Sequence, residues 1–181
     1  MGKRIFDIIF SILGLTVAGG VIAFCYILAT IDTRSNGLFT QTRIGQYARP
    51  FTILKLKTMQ PLTGRISSVG KFLRRYKLDE LPQLVNVLLG QMSFVGPRPD
   101  IPGYYDLLEA GDRKLLELKP GITSEASLKY KNEDAILSLQ QDPLRYNDEI
   151  IFPDKVKMNL EYYRDHSLRG DIVILMRTLF Q

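Results

Sequence analysis

Residues 5–31 read IFDIIFSILGLTVAGGVIAFCYILATI and hold one charge, Asp7. From Ile8 to Ile31 the chain runs 24 residues without a charged side chain. A helix of that length reaches about 36 Å, against a bilayer hydrocarbon core of about 30 Å. A secretory signal has a shorter apolar core, about 7–15 residues, followed by a small-residue cleavage site. The run therefore reads as a retained membrane helix, with a buried soluble helix and a cleaved signal as the alternatives. Lys3 and Arg4 precede it; Arg34, Arg43, Arg49, Lys55 and Lys57 follow. Cytoplasmic flanks carry the Lys/Arg excess, so a simple crossing satisfies that rule on one side only. A helix broken at Gly19-Gly20, entering and leaving on one face, satisfies it on both. Ser11 and Thr16 are placed to cover part of the backbone that such a re-entrant turn exposes.

The rest of the chain is polar enough for one compact domain, and its chemistry is bounded by what it lacks. There is one cysteine, Cys25, inside the apolar run, and one histidine, His166. No disulfide framework, cysteine-rich zinc site or multi-histidine metal site can be built from one of each. A metal here would be a hard cation held by carboxylates and phosphate oxygens, which points to Mg²⁺. Lys and Arg outnumber Asp and Glu by 24 to 19, a formal +5. That excess fits nucleic acid, anionic lipid or a phosphorylated substrate equally well. A nucleic-acid reading rests on that charge alone, without a binding motif.

Residues 38–58, punctuated by Gly45 and Arg49-Pro50, predict a short β hairpin in which Lys55 and Lys57 share a face. Residues 66–76, ISSVGKFLRRY, predict a short helix capped by Ser68. Its Lys71, Arg74 and Arg75 lie beside Phe72, Leu73 and Tyr76, a basic amphipathic turn suited to anionic lipid or phosphate. Then come Asp79 and Glu80, just before Pro82. Proline is tolerated in a helix's first turn, so a helix begins near Leu81 with the carboxylates at its positive end. Such a pair can gather a phosphate and a hard cation; an acidic N-cap is the plain alternative. Gly96-Pro97-Arg98-Pro99 makes a rigid turn around one arginine, whose planar fork suits phosphate oxygens or a salt bridge. Residues 104–118 predict a bent helix, 154–165 a helix started by Pro153, and the tail DIVILMRTLF a surface-lying or core-packed helix.

The ordered set of these pieces resembles the bacterial sugar transferases, the small monotopic polyprenyl-phosphate phosphoglycosyl transferases. It comprises Lys3-Arg4-Ile5-Phe6-Asp7, Gln41-Thr42-Arg43-Ile44-Gly45, Lys55-Leu56-Lys57-Thr58-Met59 and Leu78-Asp79-Glu80-Leu81-Pro82-Gln83-Leu84. Asn86-Val87, Gly90-Gln91-Met92-Ser93, Val95 to Pro99, and Lys119-Pro120-Gly121-Ile122-Thr123 continue it. The resemblance implies an α+β monotopic membrane protein with a re-entrant N-terminal helix over 1–36. It implies a cytoplasmic catalytic domain over 37–181, with a small β hairpin and several amphipathic interfacial helices. It further implies a UDP-sugar donor, undecaprenyl phosphate as acceptor, Mg²⁺, UMP as product, and a site facing the cytoplasm at the bacterial inner membrane. Asp79 falls on the nucleophile and Glu80 on its metal-binding partner. Arg74 and Arg98 fall on phosphate-gripping arginines, and Lys57 on a basic strand position at the substrate. Gly19-Gly20 stands where the family commonly has Ser-Pro, and Tyr76-Lys77 where it commonly has Thr-Ser. A catalytically inactive membrane adaptor with the same fold is the alternative function. The donor sugar, the glycan pathway and the oligomeric state are not legible in the sequence.

Overall fold

The computed structural model describes residues 2–180; Met1 and Gln181, the outer ends of the two expected domains, lie outside the described residues. The fold is α+β, with eight α-helices, one antiparallel hairpin and one parallel strand pair among the described residues. The chain forms two compact units. One holds the chain up to Arg43 together with Pro50–Met92; the other holds Ile44–Arg49 and the chain from Ser93 onward.

In the first unit, helix α1 (Gly2–Thr33) is unbroken for 32 residues. The interruption expected at Gly19-Gly20 is absent, and helical hydrogen bonding continues through it. Two glycines cost about 1 kcal/mol each in a helix, less than leaving backbone groups unpaired among apolar side chains. The burial of α1 is inverted relative to a soluble helix. Its buried stripe is Asp7, Ser11, Cys25, Ala29 and Thr33, with Gly14, Ala18 and Ile22 partly covered between them. The large apolar side chains Ile9, Phe10, Leu13, Val17, Phe24 and Ile31 are exposed.

Both ends of α1 are fixed to the same unit. At the start, the Arg4 guanidinium donates to the Val87 and Leu88 carbonyls, 2.6 and 2.7 Å away. These are among the last carbonyls of helix α3 (Gln83–Leu88), which lack intrahelical partners and favour a cation. A Cβ on Gly14 would sit 3.1 Å from a Leu84 methyl, so α1 and α3 approach closely there. At the far end, Cys25 and Ala29 pack with Leu56 and Leu73. Strands β1 (Leu38–Ile44) and β2 (Pro50–Leu56) form the expected hairpin. Asn86, buried in α3, fastens β2: its Oδ1 accepts from Leu54 N at 3.0 Å, and its Nδ2 donates to Thr52 O and Gln91 Oε1, both at 2.7 Å.

Helix α2 (Ser68–Arg75) is capped by Ser67, not by the expected Ser68; Ser67 Oγ accepts from Gly70 N. Ser67 has the extended backbone a cap needs, and its hydroxyl is also fixed by the Asp32 carboxylate at 2.6 Å. The α3 helix starts two residues later than Leu81, with Pro82 as its N-cap.

In the second unit, β3 (Ser93–Val95) pairs in parallel with β4 (Gly121–Thr123), Ser93 opposite Gly121 and Val95 opposite Thr123. Gly96 and Gly121 let the backbones meet: a Cβ on Gly121 would collide with the Gly96 main chain. The stretch 104–118 forms two 3-10 segments, Tyr105–Leu107 and Ala110–Glu117, around Ala110 at φ 45°. Five more helices follow: α4 (Glu125–Lys129), α5 (Glu133–Ser138), α6 (Pro143–Tyr146), α7 (Phe152–Asp165) and α8 (Leu168–Leu179). Tyr105, Leu115, Leu116 and Val156 pack together with Ile44, and Val95, Leu128 and Ile174 form a second cluster. The tail is thus a core-packed helix through Asp171 and Ile174, while Ile172, Val173 and Met176 remain about half exposed.

Candidate active site

The carboxylate pair lies in the first unit. Helix α2 ends at Arg75, and Lys77 then turns the chain at φ 56°, a left-handed conformation that costs a non-glycine residue about 1–2 kcal/mol. That turn places Leu78–Glu80 in a single 3-10 segment ahead of α3. Consecutive side chains there diverge, and the two carboxylates have different surroundings. Asp79 is 8% exposed, and its Oδ1 is buried without a hydrogen-bond partner among the described residues. Glu80 reaches β2, where Lys55 Nζ donates to its Oε1 at 2.9 Å; the two side chains are 11% and 17% exposed.

Burial pushes the Asp79 carboxyl above the usual carboxylate range, and the neighbouring Glu80 charge pushes it the same way. Lys55, Lys77 and Arg74 pull it back. Three cations therefore act electrostatically on one partly desolvated acid. A buried polar atom left unpaired costs about 1–3 kcal/mol, which a fold carries where the group has another task.

Arg74 owes its position to Gly70. A Cβ on Gly70 would collide with the Thr58 carbonyl oxygen, so α2 rests directly on the chain after β2. One turn later, Arg74 Nε donates to the buried Thr58 hydroxyl at 2.8 Å. Lys57 is directed elsewhere. Strand β2 ends at Leu56, Lys57 N bonds to Gly37 O, and Lys57 Nζ donates to Ser35 Oγ at 3.1 Å. The expected shared face of Lys55 and Lys57 is thus divided between Glu80 and Ser35.

Arg98 belongs to the second unit. It is exposed between two buried prolines, Pro97 and Pro99. The turn is tied down by Gly121 N to Pro97 O at 2.8 Å and Gly96 N to Thr123 O at 3.0 Å. Pro97 and Pro99 also line a small recess with Ile44, Tyr105 and Leu115. These two bonds hold the backbone that leads into Arg98.

Lys55 and Thr58 are the residues that the sequence reading did not assign to the site. The alternation of Lys55-Leu56-Lys57 was the available signal, but it could not say which lysine faces the carboxylates. No group of three or more His, Cys, Asp or Glu side chains suited to a metal occurs among the described residues. The donor set at Asp79 and Glu80 nevertheless fits Mg²⁺, which takes one or two carboxylates and completes its shell with water and substrate phosphate. The unpartnered Asp79 Oδ1 beside Glu80 is the local feature that matches.

The bacterial sugar transferase family model matches residues 1–181, and the chain belongs to that family. A Bacillus subtilis (strain 168) protein provisionally named undecaprenyl-phosphate N-acetylgalactosaminyl 1-phosphate transferase is 38% identical over 136 residues, covering 62% of this chain and 76% of that protein. The UDP-glucose:undecaprenyl-phosphate glucose-1-phosphate transferase of Escherichia coli (strain K12) is 33% identical over 197 residues, covering 99% of this chain and 39% of that protein. The Caulobacter vibrioides enzyme of the same name is 29% identical over 194 residues, covering 98% of this chain and 68% of that protein.

Proposed function

We propose that the chain transfers a sugar 1-phosphate from a UDP-sugar to undecaprenyl phosphate, releasing UMP, as a membrane step of bacterial glycoconjugate synthesis. The observation that carries this reading is Asp79: a buried carboxylate with an unpartnered oxygen, whose raised carboxyl is opposed by the charges of Lys55, Lys77 and Arg74. The names of the relatives supply the acceptor class, and two of them the UDP-linked donor.

A carboxylate nucleophile divides the reaction in two, so that both large anions need not meet directly. An Asp79 oxygen attacks the sugar-linked phosphorus, the bond from that phosphorus to the bridging oxygen breaks, and UMP leaves with that oxygen. A phosphate oxygen of the lipid then attacks the same phosphorus, the Asp79–phosphorus bond breaks, and the carboxylate is regenerated. No proton need move, so no histidine base is required. Glu80 would hold Mg²⁺, which supplies charge neutralisation on the diphosphate. Arg74 and Arg98 serve as phosphate-gripping arginines, the roles their motif positions imply. Lys57, bonded to Ser35, is left as an outlying substrate contact.

We also read residues 1–36 as a monotopic membrane element and 37–181 as the catalytic domain, on the cytoplasmic face of the inner membrane. Two features of α1 support this. Its large apolar side chains point outward, as lipid requires. Its two ends are fixed to elements of one unit, through Arg4 to α3 and through Cys25 and Ala29 to Leu56 and Leu73, which favours both ends lying on one side, with the unbroken helix resting along the membrane face rather than turning back within it. Basic residues at both ends make that side the cytoplasmic one.

The test is a short pulse of UDP-sugar donors with detergent-purified protein and Mg²⁺. UMP should appear, and mass spectrometry should place a phosphosugar on Asp79. Asp79→Asn should remove both. Release of UDP, or a competent adduct elsewhere, would overturn the scheme. Catalytically silent protein that still binds donor would favour the adaptor reading.

A further inference from the structure

Of the three cations that act on Asp79, two are held in place and one is not. Lys55 is held by Glu80 at 2.9 Å, and Arg74 by the Thr58 hydroxyl at 2.8 Å. Lys77 is exposed, and its ammonium makes no hydrogen bond or ion pair among the described residues. Its backbone is left-handed, φ 56° and ψ 20°, where glycine or asparagine is the low-cost residue. Lysine has no short polar side chain to bond the local backbone there, so the turn itself does not call for it. Its charge nevertheless acts on Asp79 more strongly than that of Arg74. The turn thus presents an unbonded positive charge two residues before the proposed nucleophile.

The two half-reactions of the transfer scheme make different demands on such a charge. In the first, the donor diphosphate meets Arg74, whose Nε is fixed on Thr58 and whose terminal nitrogens form a rigid fork. In the second, the phosphoryl group is already bonded to Asp79, and a lipid phosphate has to approach it. Both groups are anionic, and Lys55 is engaged with Glu80. An ammonium on a flexible stem can follow an anion that arrives and leaves, which a seated guanidinium cannot do. We propose that Lys77 binds the phosphate of the lipid acceptor at the Asp79 adduct. A phosphate oxygen of the lipid forms the bond to phosphorus, the Asp79 oxygen leaves with the bonding electrons, and no proton moves. The Lys77 ammonium lowers the repulsion between the two anions as they close. The inference rests on the two-step reading above and adds a residue reserved for its second step.

The second step can be measured apart from the first. The full chain in a neutral detergent receives a pulse of UDP-sugar without acceptor, and free nucleotide is removed. Undecaprenyl phosphate is then added over a range of concentrations, and loss of the phosphosugar adduct is followed by mass spectrometry. Asp79 has no free carboxyl in the adduct, so the influence of Lys77 on that carboxyl drops out of the measurement. Lys77→Gln should still accumulate the adduct, yet need about tenfold more acceptor for half-maximal discharge. Lys77→Arg keeps the charge and should recover most of that loss. Rising salt should increase the parent's acceptor requirement and change that of Lys77→Gln much less. An unchanged acceptor requirement in Lys77→Gln, or Lys77→Arg no better than Lys77→Gln, would overturn the proposal and leave the transfer scheme standing. A loss confined to adduct formation, or seen only with an acidic donor sugar, would assign Lys77 to the donor and overturn it equally. A parent protein that forms no adduct would remove both the two-step reading and this inference.

Discussion

Replacing Lys55 with methionine should separate the structural and chemical parts of the carboxylate site. The Lys55–Glu80 pair is short, 2.9 Å, and both side chains are more than four-fifths covered. Two unit charges at such a separation attract by about 6 kcal/mol at an effective dielectric of about 20. Most of that is offset by removing both from water. Removing the Lys55 ammonium does not return the desolvation cost of Glu80, so Lys55→Met should destabilise the fold by about 3 kcal/mol, the lower end for a broken buried pair. Glu80→Gln in the same chain removes the uncompensated part of that charge, and the double variant should regain most of the loss. Chemical denaturation of the four proteins in one detergent measures the coupling. The chemical effect is separate. Lys55 is the first of the cations that hold the Asp79 carboxyl down. Without it the Asp79 pKa rises further, and since attack needs the carboxylate, the acid limb of the UMP-release profile should move to higher pH. Losses that simply add in the double variant, or an acid limb that stays fixed or moves to lower pH, would refute the charge coupling.

Asp79→Asn should fold at least as well as the parent. Asp79 has a raised carboxyl, so its contribution to stability is fully present below its unfolded pKa and lost as pH rises through the folded one. The variant's relative stability should therefore grow on going from acid to neutral pH, and a variant that is weaker at neutral pH would count against the desolvation argument. Asn86→Ala removes three buried side-chain hydrogen bonds between α3, β2 and Gln91, about 1 kcal/mol each, so unfolding should be easier by about 3 kcal/mol. Asn86→Asp should be at least as damaging, because it turns an acceptor toward Thr52 O and Gln91 Oε1. Gly70→Ala should lift α2 off Thr58 and release Arg74, raising the KM for donor; an unchanged KM would show that Arg74 does not depend on that seat.

The long helix, the hairpin and the Asp79-Glu80 turn were legible because each has a local cause. A charge-free run, a Gly and Pro punctuation, and a proline after two acids act within a few residues of themselves. What the sequence did not disclose depends on partners far along the chain. Ser67 rather than Ser68 caps α2 because Asp32, 35 residues earlier, holds its hydroxyl. Lys55 rather than Lys57 meets Glu80 because β2 stops at Leu56 and Gly37 takes the Lys57 amide. The glycine pair in α1 carries the weakest local helix preference, yet surrounding apolar sequence keeps its hydrogen bonds closed. Tyr76-Lys77 was visible as a departure from the family's Thr-Ser, but the left-handed backbone of Lys77 follows from joining α2 to a 3-10 turn across those two residues.

Stability alone does not explain the Asp79 turn. Its carboxylate is desolvated, lacks a partner for Oδ1, adjoins a second carboxylate and follows a strained lysine. Each feature is unfavourable, and the unit offsets them through the Asn86 fastening and the Leu56–Leu73 packing. The same features suit a nucleophile. A fully hydrated carboxylate is a weak one because water must be stripped from it before attack. A fully dry one would hold its proton at neutral pH. Burial at Asp79 removes water, while Lys55, Lys77 and Arg74 oppose the resulting rise in pKa without bonding to the orphaned oxygen. Those opposed effects on Asp79 are the ones a carboxylate nucleophile, as proposed above, would need. The three cations are held differently, Lys55 by Glu80 and Arg74 by Thr58, so the proposed scheme gives them separate tasks: ammonium charge opposing the rise at Asp79, and a planar guanidinium suited to a phosphate.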